Sequence, residues 1–238
     1  EKTGAGMMDC KKALQEADGD FPKAERILIE LGKAAAAKRS GRATNEGRVF
    51  IAVEGNRAAI LEMACETDFV ARNDTFVALG NELAKDVLAR DLSEADEAMN
   101  AKVQDAISTI KENMSVRRFA TITKSDNAVF SHYIHGDSGR IGGIVTVSAD
   151  DPALLEKPEI ADLAFDLALH VVAFRPTYLS ADTVDTAYKT EQEEVFLKQA
   201  ENLGKPEKVL QGIVQGKLKK HLSEICLTEQ GFVKDEKK

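Results

Sequence analysis

Ala58-Ala59-Ile60-Leu61-Glu62-Met63-Ala64-Cys65, followed at once by Glu66-Thr67-Asp68-Phe69-Val70-Ala71-Arg72, decides the fold. In the first part Ala59, Leu61, Met63 and Cys65 recur at every second residue, the period of a strand with one buried face. Beyond the second part the period changes. Asn73 or Asp74 is an N-cap, and Phe76, Leu79, Leu83 and Val87 return at helical spacing, so a helix follows the strand. Phe69 then belongs to a short connection in which the strand has ended and the helix has not begun. Connections run over the surface, where binding residues concentrate. Two readings of Phe69 follow: a lid folded back on its own core, or an aromatic offered to a partner.

The same pattern occurs twice. A shift of 84 residues carries Leu61 and Met63 onto Val145 and Val147, and Phe76, Leu79, Leu83 and Val87 onto Ile160, Leu163, Leu167 and Val171. The preceding strands match as well, Arg48–Glu54 with Val129–His135. The glycine turns at Gly55 and Gly136 are offset by three residues less, so the second hairpin carries a longer turn. Each copy is a small antiparallel sheet with a helix, and the fold class is α+β. At the connection after its second strand, copy two has Asp151-Pro152-Ala153-Leu154, without an aromatic, and this asymmetry favours a partner-facing Phe69. Between the copies, Asn100–Lys111 has a helical stripe of Val103, Ile107 and Ile110, and Val116–Ile122 reads as a strand. Arg175-Pro176 stops the helix of copy two. Two charged helices follow, about Thr183–Asn202 and Pro206–His221, joined at Gly204-Lys205-Pro206 as an αα-hairpin.

Residues 3–33 form a helical head. One helix crosses Met7–Ala17, a turn occupies Asp18-Gly19-Asp20, and a second helix runs from Phe21 or Pro22 to Leu31. Met8, Ala13, Leu14 and Ala17 are expected to meet Ile27, Leu28 and Leu31. From Lys33 to Gly47 the composition turns to Ala, Lys, Arg, Ser and Gly, a helical extension fading into a linker with a solvated basic face. The expected domains are 1–40, head and linker; 41–122, first core subdomain; and 123–238, second core subdomain including the helical hairpin 180–222. The chain opens at Glu1 within an element, so further residues are expected before it.

The charge balance excludes several functions. Thirty-two Lys+Arg against forty Asp+Glu give a formal charge of −8, a poor match to a polyanion, so nucleic acid is not the expected partner. Cys10, Cys65 and Cys226 are odd in number and far apart, which fits a reducing, cytoplasmic compartment. No apolar run approaches the roughly 20 residues of a membrane span. Neither a phosphate-binding G-x-x-x-x-G-K-[ST] nor a dinucleotide fingerprint occurs, and His132 and His135, three apart on a strand, point to opposite faces, so no cofactor and no metal are expected. No Ser or Cys nucleophile motif is present, and an enzyme is not the expected reading. His170, among Leu167, Leu169 and Val171, has the setting of a hydrogen-bonded core histidine.

Four stretches together resemble the bacterial elongation factor Ts family, nucleotide-exchange factors of elongation factor Tu: Thr3-Gly4-Ala5-Gly6-Met7-Met8-Asp9-Cys10-Lys11-Lys12-Ala13-Leu14, Thr67-Asp68-Phe69-Val70-Ala71, Arg117-Arg118, and His170-Val171 with Arg175-Pro176. The resemblance implies a ubiquitin-associated-like head, then duplicated core subdomains with a helical hairpin. It also implies that this chain stops before the last part of the second subdomain. By the same resemblance Thr67, Asp68, Phe69 and Val70 approach the magnesium and switch region of the GTPase, Phe69 wedging between its helices. His170 and the Ile141-Gly142 pair belong to the contact near the phosphate-binding loop, and Met7, Met8, Lys11 and Lys12 to the surface met by the GTPase domain. The implied activity is guanine-nucleotide exchange in translation elongation, with a homodimer in the complex left open. Two rivals remain at this point: an adaptor that binds another protein through its head, and a small-molecule enzyme with Asp68 and His170 as acid and base.

Overall fold

A computed structural model describes residues 5–201 and 204–235. Thr3, Gly4 and Asn202 of the stretches above lie outside the described residues. The class is α+β. The chain divides into two compact units, Glu1–Ala164 and Phe165–Lys238.

In the first unit, α1 (Met7–Glu16) and α2 (Phe21–Arg39) pack as a hairpin. The turn between them works because Asp18 and Gly19 take positive φ and Asp20 caps α2 by accepting from Lys23 N at 3.0 Å. The small core of this hairpin is Ala13, Ala17 and Ala24, with Leu14, Ile27 and Leu28 half-buried around it. Met8 and Leu31, expected inside, are 65 % and 56 % exposed. The contact is made through alanines, which bring the two helices close, and it closes without these longer side chains. The alanine-rich extension is helical through Arg39, and it is not a tether. Ala36 is fully buried in the main core, and the Asn113 side chain donates to Ser40 O and Arg42 O at 3.3 and 2.7 Å. Of the basic residues in this segment, Arg42 pairs with Glu66, while Lys38 is exposed; Thr44 O accepts from Arg117 of the sheet.

Strands β1 (Glu46–Glu54), β2 (Arg57–Cys65) and β3 (Met114–Thr123) form an antiparallel sheet in that order. The β1–β2 turn is Gly55-Asn56, with Gly55 at φ +58°, the left-handed conformation a two-residue hairpin needs. Ala59, Leu61, Met63 and Cys65 all face inward and are fully buried, as their alternation predicts. On that face lies α4 (Asp74–Ala89), capped by Asn73 and burying Phe76, Leu79, Leu83 and Val87. Gly80 sits against the Phe50 ring, which a Cβ at that position would meet at 2.2 Å. Helix α5 (Glu97–Ile110) buries Met99, Val103 and Ile107 in the same core, and its N-cap is Asp96. The Asp96 carboxyl is held below the ordinary aspartate range by the Met99 N–H and then by Arg90.

The second hairpin pairs β4 (Ala128–Ile134) with β5 (Gly142–Ser148) through a longer turn over residues 135–141. His135 lies in this turn and not in a strand, a correction to the opposite-faces reading of the two histidines. Its N–H donates to Ile141 O at 2.9 Å.

Helix α6 (Pro158–Phe174) crosses the division between the units. The 84-residue shift holds for its small residues: Ala164, Ala168 and Val172 are buried, at the positions of Gly80, Ala84 and Leu88 of α4. It fails for the large ones. Leu163 is exposed, and Ile160, Leu167 and Val171 are only half-buried, so the apolar stripe of copy two does not repeat the burial seen in copy one.

In the second unit, Arg175 takes φ +50° and, with Pro176 behind it, ends α6. Helices α7 (Thr186–Glu201) and α8 (Glu207–Ile225) pack on each other, and Gly204 at φ +61° belongs to their connection. Tyr188 and His221 bond across the pair at 2.8 Å, and Lys217 lies over the Phe196 ring at 5.9 Å. The segment after α8 returns alongside Tyr178, with Leu227 N donating to Tyr178 O at 2.9 Å.

Candidate functional site

The residues between β2 and α4 do not form an irregular loop. Thr67 stops the strand with an extended backbone (φ −124°, ψ 156°), and its hydroxyl accepts from Val70 N at 3.4 Å. Asp68–Ala71 therefore coil into a one-turn helix, α3, ahead of the Asn73 cap. The expectation that no helix has begun at Phe69 is corrected: a threonine cap three residues before an amide suffices to start one. Val70 and Ala71 are buried and hold α3 to the core, while Phe69 points away and is 83 % exposed. This rules out the lid reading. Asp68 shares the exposed face, with Arg72 one turn on at 3.5 Å. An ion pair this open to water contributes little to stability.

Below α3 the Cys65 thiol lies 3.2 Å from Thr67 O. Burial, with the negative charges of Glu112 and Glu46 added, pushes its pKa up to about 12, so it is neutral and unreactive near pH 7.

The turn of the second hairpin comes to the same half of β1. Val49 N donates to Gly139 O at 2.8 Å, and Arg140 pairs at 2.9 Å with Glu46, which itself sits opposite Cys65 in the sheet. Gly139 takes φ +60°, a backbone conformation that favours glycine, and packs against the Arg48 side chain. Ile141 at the end of this turn and Gly142 at the start of β5 are half-buried, Gly142 beside Val49. The turn of the second hairpin and α3 thus both contact β1. Arg117 and Arg118 both reach Glu62, the latter at 2.7 Å.

On the head, Met7 is 90 % exposed, and Met8, Lys11 and Lys12 are exposed with it. Met7 and Lys11 border a surface groove of ≈ 740 Å³, with Cys10 and Leu14 in its lining. Two exposed methionines on a lysine-bearing helix make an adaptable apolar surface of the kind proteins dock on.

His170 is 2 % exposed. Its ring stacks on Phe174 and Phe232, with centroids at 4.7 and 6.2 Å. Nε2 lies 3.0 Å from Gln230 Oε1, and Val233 N donates to Nδ1 at 3.2 Å. For His170 to touch a partner, the residues around Gln230–Val233 would have to move aside. With the ring replaced by alanine, Gln230 and the Val233 amide lose their partner and a cavity opens. We expect His170→Ala to cost about 1–3 kcal/mol, read as a lowered melting temperature.

Residues that sequence reasoning missed are Glu66, Glu112 and Asn113. Glu112 takes two hydrogen bonds from Thr67, and Asn113 N donates to Glu66 Oε1 at 2.6 Å. These links span 45 and 47 residues and have no local signature. The one available signal was the position of both residues between the helical stripe ending at Ile110 and the strand beginning near Val116. Among the described residues no group of His, Cys, Asp and Glu is placed to hold a metal ion, and no helix is long and apolar enough to cross a membrane.

Comparison with known proteins identifies the family of the chain. The family model described as Elongation factor TS matches residues 66–238, from the start of the Phe69 turn onward. The Elongation factor Ts of Treponema denticola is 46 % identical over 237 residues, covering all of this chain and 84 % of that protein. Those of Borrelia recurrentis and Borrelia hermsii are 47 % and 48 % identical, again over the whole chain and 85 % of each relative. With the head, the Phe69 turn and the helical hairpin all inside the aligned length, this chain belongs to the elongation factor Ts family.

Proposed function

We propose that this chain is a cytoplasmic guanine-nucleotide exchange factor for elongation factor Tu in translation elongation, acting by binding and catalysing no chemical step. The observation that carries the reading is Phe69: a large apolar side chain, 83 % exposed, on a helical turn whose other residues are anchored. Water-exposed aromatics at a rigid tip are characteristic anchors of protein interfaces. In this reading Phe69 enters between helices of the GTPase, with Thr67, Asp68 and Val70 beside it near the magnesium and switch region. Ile141 and Gly142 meet the phosphate-binding loop side, and His170 contacts the GTPase once the residues around Gln230–Val233 move aside. Met7, Met8, Lys11 and Lys12 dock the head, a ubiquitin-associated-like domain covering residues 1–40 with its linker. The core is a duplication, 41–122 and 123–238, the second part bearing the helical hairpin, and the complex leaves room for a homodimer.

The mechanism is differential affinity. A factor that binds the nucleotide-free GTPase better than the loaded one lowers the barrier to release, and by linkage rebinding nucleotide weakens its grip. A thousandfold acceleration requires about 4 kcal/mol, at about 1.4 kcal/mol per factor of ten. Burying one Phe side chain supplies about 1.5–3 kcal/mol. The Phe69 turn therefore needs the other surfaces to hold the distorted GTPase in place. Stopped-flow release of a fluorescent GDP from purified elongation factor Tu tests the function: release should accelerate with added factor. A rate independent of the factor would end the reading.

A further inference from the structure

Phe69 has few contacts of its own to hold it, and α3 is a single turn. Isolated helices shorter than about 12 residues are marginal in water, so the direction of this one comes from its anchors. Val70 and Ala71 fix α3 against the core from below. What fixes its start is Thr67, and what fixes Thr67 is Glu112. The two carboxylate oxygens divide the task, Oε2 accepting from Thr67 N at 3.0 Å and Oε1 from the Thr67 hydroxyl at 2.7 Å. A hydroxyl has one proton; given to Glu112, it leaves the oxygen lone pairs free to accept from Val70 N and close the cap. Among side chains, only a carboxylate offers two acceptor oxygens and no donor, so it can take an N–H and an O–H together.

Glu112 is itself held from both sides. Lys111 before it takes φ +69°, reversing the chain at the end of α5. Asn113 after it is buried and tied by its amide to Glu66 and by its side chain to Arg42 O. The Glu112-Asn113 corner thus grips the two residues that immediately precede α3.

We propose that Glu112 is a positioning residue for nucleotide exchange: by orienting the Thr67 cap it sets the direction in which Phe69 is presented. This rests on the exchange reading above, and the test separates the two. In the free chain, Glu112→Ala should speed amide-hydrogen exchange at Val70 and Ala71 by about tenfold or more, the loss expected for hydrogen bonds to a charged group. With elongation factor Tu, the same variant should slow GDP release by about tenfold. Placed on top of Phe69→Ala, it should change release by less than about twofold, because it acts only through that ring. Glu112→Gln, which keeps the volume and loses one acceptor, carries the same three measurements if the alanine variant does not fold. Unchanged amide exchange at Val70 would overturn the proposal whatever the release assay shows. So would a Glu112 effect that survives undiminished without the Phe69 ring, the mark of a merely structural role. If the unaltered chain fails to accelerate release, the exchange reading falls, while the amide measurement still decides whether Glu112 holds the turn.

Discussion

Phe69→Ala slows factor-stimulated GDP release from elongation factor Tu by roughly ten- to a hundredfold, the equivalent of the 1.5–3 kcal/mol gained when a Phe side chain is buried. The fold should not notice. The ring is 83 % exposed, and the anchors of its helical turn, Val70 and Ala71, are untouched. Circular dichroism and melting temperature are therefore expected to match the unaltered chain, since surface substitutions of this kind usually stay within about 0.5 kcal/mol. The signature is a loss of rate without a loss of stability. Release at the unaltered rate, with normal circular dichroism, would remove Phe69 from the mechanism and leave its exposure without a role.

The opposite signature belongs to Phe76, seven residues further on. Its ring is fully buried and lies 6.0 Å from that of Phe50, tilted by 56°. Phe50 is confined on another side by Gly80, where the absence of a Cβ makes room for it. Phe76→Ala thus removes one neighbour of a ring that is already fitted against backbone, and the cavity has little means of collapsing. The expected cost is about 3–5 kcal/mol, a large share of the stability of an ordinary domain. Urea unfolding followed by circular dichroism should show the unfolding free energy falling by that amount, and a cost below about 1 kcal/mol would mean that Phe76 does not anchor α4 to the sheet. Any loss of exchange activity in this variant should track the unfolded fraction.

These two phenylalanines show how far the sequence could be read. Phe76 was legible because it stands in a periodic pattern: Leu79, Leu83 and Val87 repeat with it every turn, and only a helix buried on one face satisfies them all. The alternation of Ala59, Leu61, Met63 and Cys65 was equally decisive for β2. Phe69 has no such pattern. Its surface position had to be argued from the strand before it, the helix after it and the lack of an aromatic at the matching connection of copy two, and the one-turn helix it occupies was missed because a single threonine cap leaves no periodic trace. Burial in copy two was misjudged for a related reason. A shift of 84 aligns residue types, but whether Leu163 is covered depends on what packs over it, and the small residues Ala164 and Ala168 proved to be the buried ones. The Glu112–Thr67 link was beyond reach altogether, since hydrogen bonds between residues 45 apart obey no sequence rule. His170 was open between two readings: Phe174, which its ring stacks on, lies one turn along the same helix, but Phe232 on its other side comes from 62 positions away.

Isothermal titration calorimetry against elongation factor Tu, nucleotide-free in one cell and saturated with GDP in the other, tests the central claim most directly. If the chain works by favouring the empty GTPase, it should bind the nucleotide-free form at least a thousandfold more tightly, a gap of about 4 kcal/mol. Equal affinity for the two forms would contradict it, because a ligand that does not discriminate between two states shifts neither.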